Sequence, residues 1–186
     1  MDPIYSIRLS GAGGHGLIQA ARILAEAAAV YGNKNAAESC SYGPEARGNA
    51  SRGEILISDE AIDCPKIKSV DLLMALTQEA FDKHGKNVKS GGIIVTDETV
   101  KINDTYKNQT VYSVPLVDLA ESKLRKPAMI NIVALGFLAG VCNIIDKKSI
   151  QQAILARVPR MLEETYIEAF ETGLKTAREI QKNAQK

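Results

Sequence analysis

A glycine-rich turn near the amino end, set between a strand pattern and an alanine-rich helix pattern, limits the fold of this chain more than any other stretch. Ile4 to Leu9 alternates briefly and runs into G-A-G-G-H-G at Gly11 to Gly16. L-I-Q-A-A-R-I-L-A-E-A-A-A-V follows, with Leu17, Ala20, Ala21, Leu24, Ala27 and Ala28 at helical spacing. The order is strand, turn, helix. Small alanines on the apolar face let such a helix lie close to a sheet, which points to an α/β architecture.

Gly11, Gly13 and Gly16 also match the G-x-G-x-x-G dinucleotide pattern. Unpaired amides at the helix start could hold a phosphate or carboxylate, so Gly11, Gly13, Gly14 and Gly16 form a candidate anion site. A nicotinamide cofactor would need one more feature, an acidic residue about 20 residues on, at the end of a second strand. Glu38 is the displaced candidate for that role. A stand-alone nucleotide-binding oxidoreductase is therefore one open reading, and glycines that merely let strand and helix approach are another.

Further along, E-I-L-I-S at Glu54 to Ser58, D-L-L-M-A-L at Asp71 to Leu76, G-G-I-I-V-T-D at Gly91 to Asp97 and T-V-Y-S-V-P at Thr110 to Pro115 read as strands. Thr77 is a good cap for a short helix ending near Gly85. Strands separated by helices imply parallel order. The expected fold is an open, mostly parallel, Rossmann-like α/β sheet with helices on both faces and a helical C-terminal third. Met129 to Cys142 is apolar nearly all round, so it should be buried, and Gly136 and Gly140 would permit close helix contact. Ser149 reads as the cap of a helix over Ile150 to Arg157, and Pro159 breaks the chain before an amphipathic helix from about Met161. One domain over 1–186 is expected, with a frayed tail from about 177 to 186.

Between the first helix and Glu54 lies S-C-S-Y-G-P-E-A-R-G-N-A-S, Ser39 to Ser51, which has the period of neither helix nor strand. It reads as a shaped loop. Long irregular loops in compact domains are usually functional or disordered. Glu45 and Arg47 sit in it beside Tyr42, between Gly43 and Gly48.

Composition excludes several classes. Apolar residues make up 45% and charged residues 24% of 186, with a formal net charge of +1, so there is no basic field for nucleic acid. No apolar run is long enough for a membrane span and the start, M-D-P-I-Y, is not a secretory signal, so a cytoplasmic protein is expected. Cys40, Cys64 and Cys142 are widely spaced without C-x-x-C, which writes neither a disulfide framework nor an iron-sulfur or zinc site. Cys40 as a nucleophile would need a base, and His15 and His84 are the only histidines. No Ser-His-Asp set, metal cluster or Walker lysine can be named. Such a chain looks like one part of a larger machine.

I-R-L-S-G-A-G-G-H-G-L, S-Y-G-P-E-A-R-G-N-A-S, E-I-L-I-S-D-E, D-L-L-M-A-L-T-Q-E-A-F-D-K, G-G-I-I-V-T-D and N-I-V-A-L-G-F-L-A-G together resemble the gamma subunit of 2-oxoacid:ferredoxin oxidoreductases. The S-Y-G-P-E-A-R form of the loop is most similar to the 2-oxoglutarate branch. His15 stands where the family usually has glutamine, and Asn49 where it has glycine. The resemblance implies an assembly with alpha, beta and usually delta subunits. It converts a 2-oxoacid and coenzyme A into acyl-CoA and carbon dioxide while reducing ferredoxin or flavodoxin. It also implies that thiamine diphosphate, Mg2+ and iron-sulfur clusters belong to the partner subunits, with no metal held by this chain. Ser41, Tyr42, Gly43, Pro44, Glu45, Arg47 and Gly48 would then form a loop facing substrate or coenzyme A. Arg47 would meet the far carboxylate of 2-oxoglutarate or a phosphate of coenzyme A, and Glu45 would hold Arg47 or bind a partner. A structural ion pair between them, and a purely scaffolding subunit, are the alternatives.

Overall fold

The computed structural model describes residues 4–41, 51–63, 66–103 and 105–184. A six-stranded sheet runs through it in the order β2-β3-β1-β4-β5-β6. The strands are β1 (Ile4–Gly11), β2 (Asn35–Ser41), β3 (Ser51–Ser58), β4 (Val70–Ala75), β5 (Val88–Asp97) and β6 (Thr110–Val114). β1, β4, β5 and β6 are parallel, and β3 runs antiparallel to both β1 and β2. The mostly parallel α/β sheet expected from the alternation of strands and helices is present.

β2 is the strand the sequence reading misses. Its residues, N-A-A-E-S-C-S, are small and polar and mostly exposed, because they form the sheet edge and bury no continuous face. The stretch from Ser39 to Ser51 is accordingly not all loop. Ser39, Cys40 and Ser41 close β2, Ser51 opens β3, and the two strands form a hairpin in register from Asn35 opposite Ser58 to Ser41 opposite Arg52.

Each sheet face carries its own helices. α1 (Leu17–Glu26, extended by a π turn Ala27–Tyr31), α4 (Ile130–Val141), α5 (Lys147–Leu155) and α6 (Glu163–Ala184) enclose the main core with Ile7, Leu9, Ile55, Ile57, Leu72 and Met74. The anticipated apolar stripe of α1 is buried throughout. α2 (Gln78–His84) covers the other face, where Ala80 and Phe81 meet Leu73, Val88 and Ile94. Thr77 caps α2 as expected, its hydroxyl accepting from the Ala80 amide at 3.3 Å. α3 (Leu116–Asp118) is a single turn after β6, continued by a π turn over Leu119–Lys123.

α4 is buried because α6 lies directly on it. A Cβ on Gly136 would stand 1.9 Å from the Phe170 carbonyl oxygen, so only glycine permits this backbone approach. One expectation for the last third needs correction. Asp146, not Ser149, caps α5, accepting from the Lys148 amide, while the Ser149 hydroxyl donates to the Tyr31 carbonyl. α6 runs to Ala184, with Ala177 fully buried against α4.

Candidate functional site at the carboxyl edge of the sheet

β1 leaves the sheet at Gly11 toward α1 on one face, whereas the adjacent parallel strand β4 leaves toward α2 on the other. Neighbouring strands with opposite exits open a crevice outside their carboxyl ends, which is where ligands bind in open α/β sheets. The glycine turn occupies that crevice. Gly13–His15 form one turn of 3-10 helix, and Gly16, at φ 67°, turns the chain into α1. No side chain caps the first amides of α1. Open space surrounds the Cβ positions of Gly13 and Gly14, so these glycines present bare backbone to whatever enters.

The loop-bearing hairpin arrives at the same edge. Ser51 pairs with Gly11, its hydroxyl donating to the Gly11 carbonyl at 3.2 Å, and the Ser10 hydroxyl donates to the Ser51 carbonyl at 3.1 Å. The half-buried Ser41 stands one strand away, opposite Arg52. The candidate anion turn and both ends of the candidate loop are thus fastened together. Tyr42, Gly43, Pro44, Glu45, Arg47, Gly48 and Asn49 themselves lie outside the described residues.

His15 folds back over the turn, where its Nδ1 would be 2.9 Å from a Cβ on Gly11. That nitrogen is buried without a hydrogen-bond partner. Burial pushes the imidazole pKa down, while Asp97 and Glu121 pull it the other way. Asp97 has a different task. Its carboxylate accepts from the Thr99 amide and hydroxyl and from the Val117 amide, so it holds the chain at the end of β5 and the start of α3.

Asn131, in the first turn of α4, is a site residue that sequence reasoning overlooks. Its amide nitrogen lies 3.1 Å from a Cβ placed on Gly16, the residue is 6% exposed, and Oδ1 has no partner. It brings the start of α4 against the start of α1. A lone asparagine in the otherwise apolar M-I-N-I-V-A-L was the signal available.

Other candidates are not brought to the crevice. Glu38 lies within β2, two strands from β1, and pairs with Arg22 at 3.3 Å. Glu38 is therefore not placed to meet a ribose in the dinucleotide manner. Cys142 is buried and hydrogen-bonded with Tyr5; burial pushes the thiol pKa up, so it stays protonated near neutral pH. Cys40 is exposed on the edge strand, and Cys64 lies outside the described residues. What the crevice offers chemically is amide donors, an uncapped helix start and hydrogen-bonding side chains, which suits binding an anionic oxygen group.

Comparison with known proteins agrees with this architecture. Residues 6–176 match the family model described as pyruvate ferredoxin/flavodoxin oxidoreductase. The chain is 44% identical over 176 residues to the 2-oxoglutarate synthase subunit KorC of Methanocaldococcus jannaschii, covering 94% of each protein. Among solved structures, the gamma subunit of a keto/oxoacid ferredoxin oxidoreductase from Geobacter sulfurreducens PCA superposes with a TM-score of 0.85 at 39% identity, covering 94% of this chain and 96% of that one. The same fold, at 21% identity and a TM-score of 0.85, covers 96% of this chain and 32% of a chain of the Magnetococcus marinus 2-oxoglutarate:ferredoxin oxidoreductase, solved with 2-oxoglutarate, coenzyme A and succinyl-CoA bound. No described helix is long and apolar enough to cross a membrane. With a matching sequence over nearly its whole length and the gamma-subunit fold beneath it, this chain belongs to the pyruvate ferredoxin/flavodoxin oxidoreductase family.

Proposed function

We propose that this chain is the gamma subunit of a cytoplasmic 2-oxoglutarate:ferredoxin or flavodoxin oxidoreductase. The complex converts 2-oxoglutarate and coenzyme A into succinyl-CoA and carbon dioxide, passing two electrons to the low-potential acceptor. The observation that carries this reading is the 44% identity to a 2-oxoglutarate synthase subunit across 94% of both proteins. Thiamine diphosphate, with its Mg2+, and the iron-sulfur clusters then reside on the alpha, beta and delta partners and supply decarboxylation and electron transfer there.

The contribution of this chain is binding and positioning. The bare amides at Gly13 and Gly14, and the uncapped start of α1, suit a phosphate of coenzyme A, because backbone N–H groups and the helix dipole both favour negative charge. Arg47, on the loop between Ser41 and Ser51, suits a phosphate or the far carboxylate of the oxoacid through its bidentate fork of donors. Glu45 steadies Arg47 or meets a partner subunit.

The test is turnover of the reconstituted complex, read as reduction of a low-potential dye. Omitting this subunit should abolish 2-oxoglutarate- and coenzyme A-dependent reduction. Arg47→Ala should raise the KM for the oxoacid or for coenzyme A by about tenfold or more, as loss of a charged hydrogen bond implies. An unchanged KM for both would remove Arg47 from this role. A variant that no longer joins the complex would make the loop an assembly element instead.

A further inference from the structure

On the sheet face opposite α1, below the end of the hairpin, lies a cationic cluster that the crevice does not use. Arg8 of β1 is 3% exposed and places both Nε, at 2.7 Å, and Nη2, at 2.6 Å, on a single oxygen of Glu54, its cross-strand partner. Its third nitrogen, Nη1, is buried with no partner. The second Glu54 oxygen accepts from the Ser39 hydroxyl at a long 3.4 Å, and Arg52 Nε stands 3.5 Å from it without forming a hydrogen bond. His84, at the end of α2, is buried, and burial together with the charges of Arg8 and Arg52 keeps it neutral at pH 7.

The charges do not balance. Arg8 and Arg52 share one carboxylate, so among the described residues the cluster carries one excess positive charge, on side chains that are buried or partly buried. A buried N–H left unpaired is costly, more so when the group is charged, and such a cost calls for a physical reason. Arg52 is the reachable member, with 34% of its side chain exposed at the rim beside the exposed Ser39. Ser41 projects to the same face as Ser39 by strand alternation. A guanidinium fork prefers a planar or tetrahedral oxyanion over a single acceptor.

We propose that the Arg8–Arg52 cluster, rimmed by Ser39 and Ser41, is a second anion-binding site, taking a carboxylate or phosphoryl group of a small molecule between the free guanidinium donors. With that anion in place, the arrangement becomes an alternating series of Arg8, Glu54, Arg52 and ligand, and the unpaired donor of Arg8 gains an acceptor.

The two histidines give separate reporters, since His84 lies at this cluster and His15 at the glycine turn. The imidazole resonances of the full chain are followed by NMR at pH 7 while inorganic phosphate or glutarate is added at constant ionic strength. A saturable shift of His84 is expected with at least one of the two, and which one responds identifies the chemical source of the anion. Arg52→Gln should weaken that binding about tenfold or more, and Arg52→Lys, which keeps the charge, should retain part of it. No saturable shift of His84 with either anion, or the same affinity in Arg52→Gln, overturns the proposal. A response confined to His15 would do so too, while leaving the glycine turn intact as an anion site.

Discussion

The two faces of β1 belong to one strand and are stabilised in opposite ways. Ile7 and Leu9 enter the core with α1 and α4, whereas Ser6, Arg8 and Ser10 turn toward the α2 side, and all of them are buried. On the first face any well-shaped apolar neighbour suffices, because the driving force is removal of surface from water. On the second, each residue needs a specific partner. Ser6 bonds the Asp71 carboxylate, Arg8 the Glu54 carboxylate and Ser10 the Ser51 carbonyl. Burying a polar group is costly unless it is hydrogen-bonded, so this face links β1 to β3 and β4 residue by residue.

Three measurements probe that contrast. The largest effect is expected on the polar face, where Glu54→Ala strands the Arg8 charge and should lower stability in urea by about 3–5 kcal/mol. Replacing both partners by apolar residues, Arg8→Met with Glu54→Leu, should recover most of the loss. If the double variant is as unstable as the single one, the face is held by shape rather than by charge pairing. Leu9→Ala on the apolar face should cost about 3 kcal/mol through the cavity it leaves, and no second substitution on the polar face should repair it.

An effect of similar size is a pH dependence. His84 is driven from its ordinary value down to about 4, first by burial and then by Arg8 and Arg52. Its folded pKa lies below the unfolded one, about 6.5, so the unfolded chain binds the proton more readily. The stability is therefore complete above pH 6.5 and declines as pH falls toward 4, with a slope of up to about 1.4 kcal/mol per pH unit. Denaturation curves collected across that range should show this decline, and His84→Gln should remove its contribution. An unaltered profile in the variant would mean that the His84 pKa is not depressed by burial and the two arginines.

Much of the architecture was legible because periodicity reports burial. The alanine stripe of α1, the apolar run of α4 and the short hydrophobic strands each bury a face that the sequence spells out. β2 was not legible, since an edge strand of small polar residues buries no stripe and is held by its ladder to β3. The glycine turn was readable as a turn, and its surroundings at Gly13 and Gly14 are open. Asn131 was hidden among apolar neighbours, because its importance comes from touching Gly16, far away along the chain.

Local patterns alone determined which segments are strands and helices over most of the chain, where the backbone must turn sharply, and to which family these motifs are similar. Hydrophobic period, capping residues and glycine demands act over a few residues, so one dimension suffices to read them. Only the tertiary structure decided that Ser51 docks on Gly11, that Asn131 meets Gly16, and that Arg8, Arg52 and Glu54 share one face of the sheet within electrostatic reach of His84. These contacts join residues distant in sequence through sheet order, and sheet order follows from how both faces are covered at once rather than from any single stretch.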